Sequence, residues 1–157
     1  MIDHYGAEGV ARDQYRLRPD ARRFENWENN YAARLGLGLA VDYALAIGLA
    51  PIAARCHHLS GRLRSALSSV PGIRVLDLGR NPSAIVSFLI DGVAAGEVVA
   101  AALQAGITIG QSDPASTRLD AEARSLPPVV RASPHYYNTD DEIERLASLC
   151  ATLARRN

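Results

Sequence analysis

Between Tyr31 and Leu49 apolar residues fall on nearly every face of a helical wheel, which predicts a helix covered on most of its sides. Gly48 and Pro51 then act as stop and restart signals. From Pro51 to about Val70 the pattern changes. Ile52, Cys56, Leu59, Leu63, Ala66 and Leu67 recur every three to four residues, while Arg55, His58, Arg62 and Ser65 lie off that stripe. This predicts an amphipathic, half-exposed helix ended by Pro71-Gly72. Short apolar runs from Ile73 to Leu78 and from Ala84 to Ile90, separated by Gly79-Arg80-Asn81-Pro82, predict two strands that can pair as a hairpin. A helix from about Ala94 to Ala105 leads through Gly106 into a strand from Ile107 to Gly110, a small β-α-β crossover. Residues 111–128, with Pro114, Pro127 and Pro128, read as a long polar loop. A strand from Val129 to Ser133 follows, and a final helix opens at Thr139. Glu142 stands three residues on, as a capping box requires, and Ile143, Leu146, Ala147, Cys150 and Leu153 form the stripe to be buried. Arg155 and Arg156 suit the C-terminal end of the helix dipole.

Residues 1–30 differ from all of this. They are polar and aperiodic, and predict a lead-in segment that packs on a domain or subunit outside the chain, with one small domain spanning 31–157. The element order predicts an α/β fold of the α+β two-layer type, a small sheet with helices packed on it.

Composition narrows the chemistry. The 157 residues carry 17 basic and 17 acidic side chains, and every basic residue apart from the histidines is Arg. Without Lys the chain forms no Schiff base through a side chain, supplies no phosphate-loop lysine and has no lysine general base. Zero net charge leaves no field to attract nucleic acid or an anionic bilayer. Cys56 and Cys150 stand far apart with no CxxC, so neither a disulfide framework nor a zinc site is signalled, and a reduced, cytoplasmic setting is expected. The first twenty residues show no signal or transit pattern, and no apolar run reaches the length of a membrane span.

The segment Val130-Arg131-Ala132-Ser133-Pro134-His135-Tyr136-Tyr137-Asn138-Thr139 holds most of the candidate chemistry. Arg131 sits in a short apolar strand, and its planar fork suits bidentate binding of a carboxylate. Two readings stay open: a structural pair with Asp120 or Glu122, or a ligand carboxylate. His135 flanks the same strand. Adjacent His57 and His58 point different ways on a helix, as solvent-exposed residues do. Cys56 and Cys150 fall on packed helix stripes and read as small hydrophobes.

Arg131-Ala132-Ser133 followed by Tyr136-Tyr137-Asn138-Thr139, Asp141-Glu142-Ile143 and Arg145-Leu146 closely resembles the C-terminal signature of class V aminotransferases. Further strings match that family in order: Arg22-Arg23-Phe24-Glu25, Leu35-Gly36-Leu37-Gly38, Asp42-Tyr43, Ile47-Gly48-Leu49, Pro71-Gly72-Ile73-Arg74-Val75, Ile85-Val86-Ser87-Phe88 and Asp91-Gly92-Val93. The resemblance spans roughly residues 20 to 153. It implies the small C-terminal domain of a fold-type I pyridoxal-phosphate enzyme acting on an amino acid, with a missing large domain carrying the cofactor Lys. It also implies a homodimer, and it places the grip on the substrate α-carboxylate at Arg131. Ser116, Thr117 and Arg118 resemble a loop of desulfurase-like relatives and are implied as further substrate-binding residues; His135, by its place beside the Arg131 strand, is a further candidate to line the site. Where the family's desulfurases have a Cys-bearing loop, this chain has Gly110-Gln111-Ser112-Asp113-Pro114-Ala115-Ser116. Where many relatives have a phosphate-binding Gly-Thr pair, it has Trp27-Glu28, leaving Asn29 or Asn30 as neutral cofactor-phosphate donors. Gly36 and Gly38 read as helix-packing glycines. The isolated chain is expected to be inactive. The rival expectations are a stand-alone α/β ligand-binding or dimerisation module, and a split enzyme whose Lys comes from another chain.

Overall fold

The computed structural model describes residues 6–25 and 29–156. Its contacts divide the chain into two compact units, Met1–Ile47 and Gly48–Asn157.

In the first unit, β1 (Ala7–Ala11) and β2 (Gln14–Leu17) form an antiparallel hairpin, followed by a 3-10 turn at Ala21–Phe24 and by α1 (Tyr31–Ile47). The polar, aperiodic lead-in thus contains a hairpin that its pattern does not announce. Nearly every hairpin residue is exposed, so no alternation of apolar and polar positions marks the strands. Cross-strand Glu8 and Arg16 are paired in register and bond at 2.9 Å, and Arg16 pulls the Glu8 carboxyl below its ordinary value. The expected cover of α1 is corrected. None of its residues is buried, and Leu35, Leu39 and Tyr43 are among its large exposed side chains. The apolar pattern registers a need for cover that the described residues do not supply. Gly36 and Gly38 likewise have open space around them rather than a packed neighbour.

The second unit is the two-layer sandwich. It runs α2 (Leu49–Ser68), β3 (Ile73–Val75), β4 (Val86–Ile90), α3 (Ala95–Gln104), β5 (Gly110–Ser112), a 3-10 turn Pro114–Thr117, α4 (Arg118–Ala123), β6 (Val129–Ala132) and α5 (Asp140–Ala154). Gly48 precedes α2 at φ 99°, a conformation that favours glycine, and a Cβ there would crowd Pro51 Cδ at 3.2 Å. The sheet order is β3-β4-β6-β5 with every neighbouring pair antiparallel. The predicted β3–β4 hairpin forms. The predicted β-α-β crossover is split, because β6 inserts between β4 and β5. The strand expected at 107–110 lies at Gly110–Ser112, since Ile107 and Ile109 pack against the core on the way in. The polar loop expected over 111–128 contains β5, the 3-10 turn and α4.

α2, α3 and α5 cover one face of the sheet. Phe88, Val86 and Val130 from the strands interlock with Leu59, Leu63, Leu67, Val98 and Cys150 from the helices. Leu63 is fully buried, so truncation to Ala costs about 2–5 kcal/mol. Among the described residues no single helix is long and apolar enough to cross a membrane.

Candidate functional site

Alternation along β6 decides which side chains leave the core. Val130 and Ala132 are buried under the helices, so Arg131 points to the opposite, open face of the sheet. Its register partners are Ser87 on β4 and Gly110 on β5. Arg131 is exposed and has no hydrogen bond or ion pair among the described residues. The two nearby-in-sequence acids are engaged elsewhere: Asp120 with Arg124 at 3.1 Å, and Glu122 with Arg118 at 3.3 Å. Neither acid pairs with Arg131. A guanidinium flanked in register by a Ser and a Gly meets no competing acid among the described residues, so its fork can take a ligand carboxylate.

The segment after β5 builds one wall beside this face. Arg124 donates to Leu76 O at 2.7 Å and to Asp120, tying α4 to the end of β3. Ser125, in the left-handed region at φ 51°, ends α4, and Leu126 N closes onto Ala121 O at 2.9 Å. Thr117, with Ser87 and Ser112, borders a concavity of about 330 Å³ on this side of the sheet.

The other predicted site residues are placed differently. Ser116 lies in the 3-10 turn and Arg118 is held by its exposed pair with Glu122; neither borders the concavity. His135 lies in the turn after β6, its ring 4.8 Å from that of Tyr136 and 5.1 Å from that of Tyr137. That turn is anchored: Asn138 Oδ1 accepts from His135 N at 2.8 Å, and Arg55 donates to Asn138 O at 3.0 Å. Next to it, Asp140 accepts from His58, Arg55 and Arg62, which together hold its carboxyl well below the usual range and fasten the start of α5 to α2. The Asn30 side-chain oxygen accepts from Ala33 N at 2.9 Å and caps α1, while Asn29 precedes it. Trp27 and Glu28 lie outside the described residues.

Ser87 and Ser112 escaped sequence reasoning. The only signal was a single polar residue interrupting the apolar run from Ala84 to Ile90. The residues present do not fit a covalently held pyridoxal phosphate, because the chain has no Lys; the cap bond of Asn30 uses its oxygen and leaves its amide N–H groups as donors.

A family model described as Aminotransferase class-V matches residues 5–146. A cysteine desulfurase of Synechococcus elongatus is 33% identical over 134 residues, covering 83% of this chain and 21% of that protein. A probable hercynylcysteine sulfoxide lyase of Mycobacterium tuberculosis is 36% identical over 124 residues, covering 76% of this chain and 30% of that one. Among solved structures, the apo cysteine desulfurase of Thermococcus onnurineus NA1 superimposes with a TM-score of 0.76 at 25% identity, covering 100% of this chain and 39% of that one. The chain thus spans between about a fifth and two fifths of the length of these relatives.

Proposed function

Because the chain belongs to the class-V aminotransferase family, whose members depend on pyridoxal phosphate, we propose that it supplies the substrate-gripping part of such an enzyme. Arg131 binds the α-carboxylate of an amino acid. The observation that carries this reading is an Arg aimed out of an apolar strand, unpaired, between Ser87 and Gly110. Its planar fork gives two parallel charge-assisted hydrogen bonds to one carboxylate, which fixes orientation as well as position. Pyridoxal phosphate, when bound in an enzyme of this family, withdraws electrons from the amino acid so that a bond at it can break. A Lys-bearing domain, on the same polypeptide or another, must bring that cofactor. The exposed apolar surface of α1 is the face we assign to it, within a homodimer.

The relatives named above act by their names on cysteine or a cysteine derivative, and a sulfur-bearing amino acid is the substrate class proposed here. Transfer of sulfur to a thiol of this chain does not fit. Cys56 and Cys150 are the chain's two cysteines, both buried in helix stripes, and burial pushes the Cys150 thiol up to about 12. Cleavage of lyase type, with no enzyme thiol from this chain as acceptor, is the reading these residues support.

The test has two parts. The purified chain treated with pyridoxal phosphate and borohydride should retain no cofactor by mass spectrometry; a stoichiometric covalent adduct would refute the division of labour. Co-expressed with a Lys-bearing cofactor domain of a relative, it should turn over a sulfur-bearing amino acid. There Arg131→Ala should lower kcat/KM by at least about 10-fold.

A further inference from the structure

Ser87, Ser112 and Thr117 converge on one concavity of about 330 Å³ from three separate elements, β4, β5 and the 3-10 turn. None of the three hydroxyls has a hydrogen-bond partner among the described residues, and Thr117 makes no side-chain bond as the residue before α4. The charged groups on the same wall are engaged: Asp77 accepts from Arg64 at 2.7 Å and from Ser87 N at 2.9 Å, and Asp120 is paired with Arg124. The concavity therefore offers free hydroxyls without free charge. Leu76, Leu126 and Val129 supply apolar surface between them.

This concavity adjoins the carboxylate grip. Ser87 faces Arg131 directly across the β4–β6 register. The guanidinium lies near Gly110, where a Cβ would stand 4.0 Å from Nη2, and Ser112 is two residues along the same strand on the same face. Two residues of a strand span about 7 Å. An extended carbon chain advances about 1.3 Å per bond, so that span is filled by roughly five bonds.

We propose that the Ser87–Ser112–Thr117 concavity is a specificity subsite that receives a neutral hydrogen-bonding group at the end of the substrate's side chain, about five bonds from the α-carboxylate. The inference rests on the reading of Arg131 as the carboxylate grip. Hydroxyls both donate and accept, so they match an amide, a hydroxyl or a sulfoxide oxygen. A terminal methyl leaves all three unpaired, and a full charge finds no counter-ion.

Titration calorimetry of the intact chain with L-glutamine and L-norleucine, whose side chains are of equal length, tests it. L-Glutamine should bind at least about 5-fold more tightly, and the Ser87→Ala/Thr117→Val double variant should bring that ratio close to one. Thr117→Ser alone should preserve the ratio. Arg131→Ala should weaken both ligands at least about 10-fold and leave their ratio intact. Circular dichroism checks that each variant is folded, and Ser112→Ala serves as a second variant if the double one is not. An unchanged ratio in the double variant, with Arg131→Ala still weakening both ligands, overturns the subsite alone. Insensitivity of both ligands to Arg131→Ala overturns the carboxylate reading. Absence of binding by either amino acid overturns both.

Discussion

The Arg131 guanidinium lies against the bare backbone of Gly110, with 4.0 Å between Nη2 and the position a Cβ would take. At that distance a methyl makes ordinary contact, so Gly110→Ala should leave amino-acid affinity within about 2-fold. Gly110→Leu carries three more carbons into the same space and should push the fork aside, lowering affinity by about 10-fold. Because β5 is an edge strand, thermal stability should change by less than about 1 kcal/mol in either variant. Calorimetry and a melting curve on the same samples separate the two effects.

Thr139 caps α5 reciprocally with Glu142: the hydroxyl accepts from Glu142 N at 3.2 Å, and the Glu142 carboxylate accepts from Thr139 N at 2.9 Å. Thr139→Ala should cost about 1 kcal/mol, a fall of about 2–4 °C in Tm for a chain of this size, and Thr139→Asp should recover most of it. Differential scanning calorimetry checks both.

This cap was readable from the sequence because it is local: four consecutive residues specify it. The α2 and α5 stripes were legible for the same reason, since Leu59, Leu63 and Leu67, or Ile143, Leu146 and Cys150, repeat at the period of a helix that buries one side. Arg131 stands out in the sequence as a charge inside a short apolar strand, but its freedom from Asp120 and Glu122 depends on α4, where Arg124 and Arg118 hold both acids. Non-local pairing was the blind spot. Gly110–Ser112 has no apolar side chain to mark it as a strand, yet β6 recruits it, and that pairing brings Ser112 to the same face as Ser87. Exposure on both faces hid the β1–β2 hairpin in the same way. The α1 pattern was read correctly as apolar all round, but the cover it asks for is not a property a pattern can contain.

Asp140 and Glu142 are both held below their ordinary pKa, Asp140 by His58, Arg55 and Arg62, and Glu142 by the Thr139 amide and Asn138. A carboxyl whose pKa is depressed on folding adds stability above its unfolded value, and loses it as pH falls through the folded one. The urea midpoint should therefore be flat from pH 7 down to about pH 5 and decline below the ordinary values of 3.8 and 4.5. In Asp140→Asn the midpoint at pH 7 should be lower and the acid decline shallower, because the charge that acid removes is already gone.

Cys150 behaves in the opposite sense. Its thiol is raised from 9.0 to about 12 by burial, so the folded state holds the proton through a range where the unfolded state gives it up. This contribution is fully present below pH 9 and is lost as pH rises toward 12. At pH 8 the native thiol should be unreactive toward Ellman's reagent and become reactive only in denaturant. Rapid native labelling of Cys150, mapped by mass spectrometry, would contradict the packed position on α5.

α1 presents Leu37 and Leu45, 66% and 58% exposed, among a girdle of apolar side chains. The buried core of the second unit contains no residue of α1. Leu37→Gln with Leu45→Gln should therefore leave the thermal transition of that core within about 0.5 kcal/mol, as surface substitutions do. The same pair should reduce self-association of the isolated chain, because a contiguous exposed apolar face drives association in water. Size-exclusion chromatography with light scattering reads the mass directly. If α1 is the face that meets a Lys-bearing domain, the double variant should also lose co-purification with that domain while retaining amino-acid binding at Arg131.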